Sequence, residues 1–169
     1  IVSMFLGDEL GRVVEALVAG DDAYKSAKRT EMDLGVDELP NFLKDNTDRN
    51  RTSPFAFTGN KFEFRMPGSQ QNLSDCNMIL NTAMAKSLKE FADSMEGVPA
   101  DEFEDAAKDY VKRTLRDHQR IIFNGDGYSD EWPIEAARRG LANHKTTADA
   151  LPCLISQKSI DLFEEFHVL

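Results

Sequence analysis

Two charged side chains, Glu63 and Arg65, lie two residues apart in the stretch "KFEFR" and could take part in the same chemistry. On a β-strand this spacing places both on one face, and Lys61 precedes them at the same spacing. Carboxylate oxygens bind hard divalent cations, whereas guanidinium groups recognise carboxylates and phosphates. Arg51, with Arg49, would add positive charge at the entrance to this stretch. The residue types therefore suit a site for a nucleoside triphosphate and an acidic substrate.

The same spacing also fits an ordinary ion pair on the protein surface, which contributes little to stability. From spacing alone, the surface ion pair is the favoured interpretation. The position of Ala56 argues for a site, because in the hairpin described below it lies across from Glu63 and leaves the carboxylate facing open space. Both interpretations remain open at this point.

The charged residues belong to a predicted β-hairpin. Phenylalanines alternate with other residues on both sides of Gly59 and Asn60, and a glycine at the first central position is typical of a type II′ turn. The expected register pairs Phe57 with Phe62 and places all four phenylalanine rings on one face, as core. Lys61, Glu63 and Arg65 then project from the opposite face.

Helical patterns dominate the rest of the chain. We predict a helix over residues 6–18 that ends at Gly20, and a long helix with Ser74 as its N-cap that ends near Gly97. Further helices are predicted over residues 101–123 and 131–139, with one or two short helices in 146–169. Residues 21–49 are predicted to form a loop with at most a short helix. The expected fold is a single α+β domain over residues 1–169, mostly helical, with the long helices packed on the phenylalanine face.

Composition restricts the function classes. The chain has 169 residues and a formal net charge of -10, which disfavours nucleic-acid binding because phosphate contacts need clustered Lys and Arg. No apolar run approaches the roughly 20 residues of a membrane-spanning helix. Two cysteines without a disulfide framework favour a reducing compartment, so we expect the cytoplasm.

Other common sites lack support in the sequence. The three histidines are far apart and pair with no cysteine at the spacing of zinc ligands. "NGDG" lacks the later acidic positions of a calcium-binding loop. No glycine-rich phosphate loop, dinucleotide fingerprint or nucleophile elbow is present.

Several separated motifs resemble those of the type III glutamine synthetases over nearly the whole chain. They are "DRNRTSPFAFTGNKFEFRMPGS", "NMILNTAMAKSLKEFAD", "RIIFNGDGYSDEW" and "RGLANHKTTADALP". The resemblance implies the later part of the catalytic domain, in which the hairpin belongs to a curved antiparallel sheet. It also implies ligation of ammonia to glutamate, with ATP as co-substrate, through a γ-glutamyl phosphate and with Mg²⁺ or Mn²⁺.

The resemblance implies separate roles for the charged residues. "EFR" matches the family's Glu-x-Arg signature, which makes Glu63 a metal ligand and Arg65 the clamp for substrate glutamate. The Asn-Arg pair that ends at Arg51 implies contact with the nucleotide phosphates and the transferring phosphoryl group. Lys61 stands where many relatives carry an arginine beside the nucleotide. Other types of the family have a second phosphate-binding arginine where this chain has Ala56, so either another segment supplies that charge or the strand aligns with a shift.

The resemblance also implies that the site is incomplete here. The ammonia-site aspartate, the other metal ligands and the N-terminal β-grasp domain lie outside this segment, so we expect it to be inactive alone. In the family the site forms between neighbouring subunits, usually of a dodecamer of two hexameric rings. The alternative is a non-catalytic helical module in which the hairpin is structural and its charged face binds a partner protein.

Overall fold

The computed structural model describes residues 1–20 and 53–169, together with the backbone of two short strands between them. Its helices are α1 (Gly7–Ala19), α2 (Ser74–Met95), α3 (Phe103–His118), α4 (Glu131–Arg138), α5 (Thr147–Ala150) and α6 (Gln157–Glu165). Its strands are β1 (Met4–Phe5), β2 (Glu31–Met32), β3 (Phe42–Leu43), β4 (Phe55–Phe57) and β5 (Phe62–Phe64). Single 3₁₀ turns follow α3 and α5. The described part is therefore mostly helical with little sheet.

The chain divides into two compact units. One unit combines residues 2–65 with 114–141, and the other combines 66–113 with 142–169. The hairpin lies in the first unit, whereas α2 and most of α3 lie in the second. A single domain over residues 1–169, and packing of the long helices on the phenylalanine face, both stay predictions.

A small mixed sheet forms the centre of the first unit. β4 lies between β1, to which it is parallel, and β5, to which it is antiparallel. Beyond β1, the Phe123 N–H donates a hydrogen bond of 2.9 Å to the carbonyl of Met4. The predicted hairpin is thus part of a larger sheet that also contains a parallel pair.

Two buried hydroxyl groups hold this sheet together. Ser3 Oγ donates to Ser53 Oγ over 2.9 Å, and Ser53 Oγ donates to the carbonyl of Phe123 over 3.2 Å. Both serines are almost fully buried. Because buried hydroxyls are costly unless they are paired, these bonds fix three distant segments against each other.

The hairpin has the predicted register. Phe57 pairs with Phe62 and Ala56 pairs with Glu63. At the turn, the Thr58 N–H donates to the carbonyl of Lys61 over 2.8 Å, and Gly59 adopts a φ of 92°, which favours glycine. Turn chemistry and alternation therefore suffice to define this element.

The phenylalanine face is less buried than predicted. The cross-strand rings do pair, with centroid distances of 4.9 Å for Phe55 and Phe64 and 5.3 Å for Phe57 and Phe62. Phe62 of β5 is nevertheless 48% exposed, whereas Phe57, its partner on β4, is partly buried. The reason is position in the sheet: β4 has a strand on each side, while β5 has only β4 beside it among the described strands.

Helix α1 confirms the predicted helix and receives a cap from far along the chain. Its C-terminal cap is Gly20, which has a φ of 77°. At the other end, the backbone N–H groups of Leu6 and Gly7 donate to Asn124 Oδ1 over 3.0 and 3.2 Å. A side chain that follows α3 in sequence therefore satisfies donors at the start of α1.

Helix α3 ends earlier than predicted. The expected helix over residues 101–123 stops at His118, and after the 3₁₀ turn Ile122 and Phe123 are extended beside β1. Met4 and Arg139 supply hydrogen-bond partners to this segment: Arg139 Nη1 donates to the carbonyl of Ile122 over 2.8 Å. Tertiary partners outweigh the helical pattern there.

Helix α4 packs on this extended segment, and this contact was not predicted from the sequence. Trp132 is 3% exposed and stacks on Phe123 with a centroid distance of 3.7 Å. The guanidinium carbon of Arg139 lies 5.5 Å from the centroid of the Trp132 ring. The stack of Trp132 on Phe123 and the hydrogen bond from Arg139 to Ile122 therefore attach α4 to the sheet edge.

A carboxylate on α4 holds two arginines. Glu135 accepts hydrogen bonds from Arg138 Nε and Arg139 Nε, each over 2.6 Å. Hydrogen bonds from Arg138, and then from Arg139, lower the pKa of Glu135 to about 2 from the ordinary 4.5. The ionised carboxylate is thus the form that the fold favours.

The pKa of Glu135 predicts an acid-sensitive contribution to stability. Because the folded pKa is depressed, this contribution is complete above about pH 4.5 and is lost as the pH falls towards 2. We expect the urea midpoint of wild type to exceed that of Glu135→Gln at pH 6, and the difference to shrink between pH 4.5 and 2. Glu131→Gln, on the same helix, controls for loss of one carboxylate. A difference that stays constant across this range would contradict the assignment.

The second unit consists of helices joined by ion pairs and aromatic contacts. Lys86 of α2 pairs with Glu165 of α6 over 3.1 Å, and Phe91 of α2 meets Tyr110 of α3 edge to face at 5.2 Å.

The prediction of Ser74 as the N-cap of α2 was wrong. Ser74 is instead the first residue of the helix, and its N–H donates to Asn72 Oδ1 over 2.9 Å. The predicted short helices of the tail are confirmed as α5 and α6.

Two further observations concern the strands β2 and β3, which the sequence did not predict, and the lengths of the helices. The backbones of β2 and β3 pair as antiparallel strands within the region predicted as a loop, whose other residues lie outside the described part. Among the described helices, none is both long and apolar enough to cross a lipid bilayer.

Candidate functional site

The charged face of the hairpin consists of three side chains along β5 and its ends. A carboxylate oxygen of Glu63 lies 3.5 Å from Arg65 Nε, and the other oxygen lies 3.8 Å from Lys61 Nζ. Strand alternation produces this arrangement, because residues at a spacing of two share a face. The structure thus brings together Lys61, Glu63 and Arg65 as predicted.

The three side chains differ in exposure. Lys61 is 67% exposed, Glu63 42% and Arg65 22%. The lysine therefore extends into solvent, whereas the arginine is largely held against the protein. A carboxylate of intermediate exposure between two cations can still be reached by a ligand from solution.

Arg65 is positioned by the hairpin backbone. Its N–H donates to the carbonyl of Pro54 over 2.7 Å, which continues the strand pairing one step beyond Phe55 and Phe64. The strand ladder therefore orders the residue from which the guanidinium extends. A guanidinium with an ordered base is well suited to grip a carboxylate through two hydrogen bonds.

The surroundings of Glu63 correct one expectation. Ala56 does lie across from Glu63, but its side chain is fully buried, so the space on that side does not open to solvent. The physical reason is β1, which places Phe5 opposite Ala56 on the other side of β4. The carboxylate is accessible from its outer side instead.

Glu63 can supply one ligand to a divalent cation. Mg²⁺ needs six ligands, of which proteins commonly provide one or two carboxylates. Within residues 1–20 and 53–169, no group of three or more His, Cys, Asp or Glu side chains comes together around a possible metal. Glu63 therefore fits a metal site only as one member, with the other ligands supplied from elsewhere.

Arg51, the fourth predicted site residue, lies outside the described residues, as does its neighbour Asn50. The described chain resumes at Ser53, whose buried hydroxyl anchors the start of the hairpin. Nothing in the sequence pattern indicates this anchor, because a small polar residue before a strand is common and its partners lie 50 and 70 residues away.

The arrangement allows an exchange of partners. Exposed ion pairs are weak, so a divalent cation could displace Lys61 and Arg65 from the Glu63 carboxylate at little cost. A substrate carboxylate could in turn replace Glu63 as the partner of Arg65. Without ligands, the three side chains therefore form ion pairs with each other. With ligands, Glu63 could bind a cation while Arg65 binds a neighbouring carboxylate.

The chain is similar in sequence to several glutamine synthetases. A family model described as the glutamine synthetase C-terminal domain matches residues 106–169. The chain is 44% identical, over its whole length, to the type-3 glutamine synthetase of Dictyostelium discoideum, of which it covers 23%. It is also 44% identical, over 96% of its length, to a glutamine synthetase of Butyrivibrio fibrisolvens, and 42% identical, over 89%, to one of Bacteroides fragilis (strain YCH46). It spans 23% and 21% of those two relatives, so less than a quarter of each curated relative is represented.

Proposed function

The chain belongs to the glutamine synthetase family, and we propose that it forms part of an enzyme that ligates ammonia to L-glutamate at the expense of ATP. In this reaction ATP phosphorylates the side-chain carboxylate of glutamate, and ammonia then displaces phosphate from the γ-glutamyl phosphate. The products are glutamine, ADP and phosphate.

The observation that supports this proposal is the charged face of β5. Glu63 would bind a divalent cation beside the ATP phosphates, and Arg65 would bind the substrate glutamate. Their carboxylate and guanidinium lie 3.5 Å apart, so the metal and the substrate would be neighbours. This proximity is what a phosphoryl transfer from nucleotide to substrate requires.

The remaining cations suit the transferred group. Phosphoryl transfer spreads negative charge over the equatorial oxygens, and positioned cations stabilise that charge. We assign Arg51 to the nucleotide phosphates and the transferring phosphoryl group, and Lys61 to the nucleotide. The exposure of Lys61 makes its contact the weaker of the two.

The enzyme needs more than this chain. Mg²⁺ or Mn²⁺ would take its other ligands, and ammonia its own site, from parts of the protein outside this segment. We propose that the segment alone is inactive, that the full protein is a cytoplasmic ring-shaped oligomer, and that its ring is doubled into a dodecamer. The bound metal would supply charge neutralisation at the phosphates.

The alternative of a non-catalytic helical module has less support. The similarity to the relative from Dictyostelium discoideum extends over the whole chain and therefore includes the hairpin as well as the helices. The alternative module would keep the hairpin as well, so what favours the synthetase is that all three of these relatives are glutamine synthetases. We therefore favour the synthetase.

Substitution of the proposed metal ligand tests the function. In the full-length protein, we expect Glu63→Gln to raise the concentration of Mg²⁺ or Mn²⁺ that gives half-maximal synthetase activity by at least about tenfold, because an amide is a poorer ligand than a carboxylate. Activity titrated against metal at saturating ATP measures this change.

Glu131→Gln is the matched control, since it removes an exposed carboxylate from α4 by the same chemical change. Its metal dependence should equal that of wild type. If Glu63→Gln also left the metal dependence unchanged, Glu63 would not be a ligand. If the full-length wild-type protein formed no glutamine, the proposed function itself would be wrong.

A further inference from the structure

A cysteine and a histidine form a close pair in the second unit. Cys153 Sγ lies 3.4 Å from His144 Nε2, within hydrogen-bond distance for sulfur, and both residues are exposed. From this geometry we propose that Cys153 is a modification site for peroxides, with His144 as the base that accepts its proton. A nucleophile within hydrogen-bond reach of a base is the arrangement that activates thiols.

Local structure holds both residues in place. His144 lies just before α5, where Thr146 and Asp149 form a reciprocal capping box. Cys153 ends the 3₁₀ turn that follows, and its carbonyl accepts hydrogen bonds from Ser159 Oγ over 2.7 Å and from Ser156 Oγ over 2.9 Å. The capping box and the hydrogen bonds to the Cys153 carbonyl therefore order the backbone beside each member of the pair, so the thiol and the imidazole stay in reach of each other.

The proposed reaction is a two-electron oxidation of the thiol. In the tautomer with its proton on Nδ1, the imidazole accepts the S–H proton at Nε2 while sulfur attacks one oxygen of the peroxide. The S–O bond forms, the O–O bond breaks, and the leaving hydroxide takes the proton from the imidazolium to give water. The products from hydrogen peroxide are a sulfenic acid on Cys153 and one water molecule.

Cys76 provides an internal comparison. It is partly buried and has no hydrogen-bond partner for its thiol in the part of the chain that the structure describes. A thiol without a neighbouring base must lose its proton to solvent before it reacts. Peroxide should therefore oxidise Cys153 first.

The experiment treats the full-length protein that contains this chain with hydrogen peroxide, traps sulfenic acids with dimedone, and follows the Cys153 and Cys76 peptides by mass spectrometry. We expect the initial rate at Cys153 to exceed that at Cys76 by at least about tenfold. We expect His144→Asn to lower the Cys153 rate by about tenfold or more, since a positioned base contributes about 10²–10⁴-fold. His118→Asn is the matched control, because His118 is also exposed but bonds to the carbonyl of Thr114.

The Cys153 rates of wild type and of the two histidine variants distinguish the effect of a neighbouring base from the effect of solvent exposure. If His144→Asn left the Cys153 rate within twofold of wild type, or if His118→Asn lowered it equally, the proposed role of His144 would be wrong. A Cys153 rate no higher than that of Cys76 would overturn the modification site itself. His144→Gln replaces His144→Asn if circular dichroism shows that the asparagine variant is misfolded. Synthetase activity plays no part in the readout, so this result stands apart from the proposed function.

Discussion

Replacing Arg65 with alanine in the full-length protein is expected to lower kcat/KM for glutamate by about 10²–10³-fold. The guanidinium would grip the carboxylate of glutamate and hold it beside the metal at Glu63. Alanine leaves that carboxylate without a partner in a largely enclosed position, since Arg65 is only 22% exposed. Steady-state kinetics with glutamate as the varied substrate measure the change.

Two matched variants show whether the effect depends on the planar pair of donors in the Arg65 guanidinium. Arg65→Lys keeps the charge but loses the planar pair of donors, so we expect it to recover only a small part of the lost activity. Lys61→Ala removes a cation from the same face, but one that is 67% exposed, and should change kcat/KM by less than about tenfold. Equal losses at Lys61 and Arg65 would indicate a general effect of charge and contradict the assigned clamp.

Replacing Trp132 with alanine is expected to have the largest effect on stability. The indole is 3% exposed and stacks on Phe123, so its loss removes a large buried contact and leaves a cavity between α4 and the sheet edge. Core substitutions of this kind cost about 3–5 kcal/mol in free energy of unfolding. Urea denaturation followed by circular dichroism measures the cost without depending on tryptophan fluorescence.

Tyr128→Ala is the control for loss of an aromatic ring near α4, because Tyr128 is 71% exposed. Its effect should stay within about 0.5 kcal/mol. If Trp132→Ala cost no more than Tyr128→Ala, then α4 would not depend on the aromatic stack. In that case the hydrogen bonds from Arg139 to the carbonyls of Arg120 and Ile122 would be the better explanation of how α4 is attached.

Local features of the fold were predictable from the sequence, because local chemistry specifies them. Alternating phenylalanines and a glycine at the turn define the hairpin and its register. Helix α1 and the short helix α4 follow from apolar spacing and the glycines that end them. These elements need no information from distant parts of the chain.

Features that depend on distant partners were not predictable in the same way. Residues 119–123 carry a helical pattern, yet Ile122 and Phe123 extend because β1 offers hydrogen-bond partners more than a hundred residues away. β1 itself is two residues long and leaves no periodic signal. The burial of Ala56 likewise depends on β1, which explains why the space beside Glu63 was misjudged.

The candidate site was predictable only in its placement. Strand alternation placed Lys61, Glu63 and Arg65 on one face, and the structure confirms this. Alternation alone could not distinguish a surface ion pair from a ligand site, because both need the same spacing. Only the resemblance to a family assigned a role to each charge, and those roles stay predictions.

The serine pair beneath the sheet has a consequence for how the site folds. The hairpin turn closes locally, but its alignment with β1 and with Phe123 joins residues separated by 50 and 70 positions. High contact order of this kind slows folding, because loop entropy must be lost before the contacts form. The hairpin can therefore form early. The surface that presents Glu63 and Arg65 becomes rigid only after Ser3 and Phe123 have come into contact with Ser53.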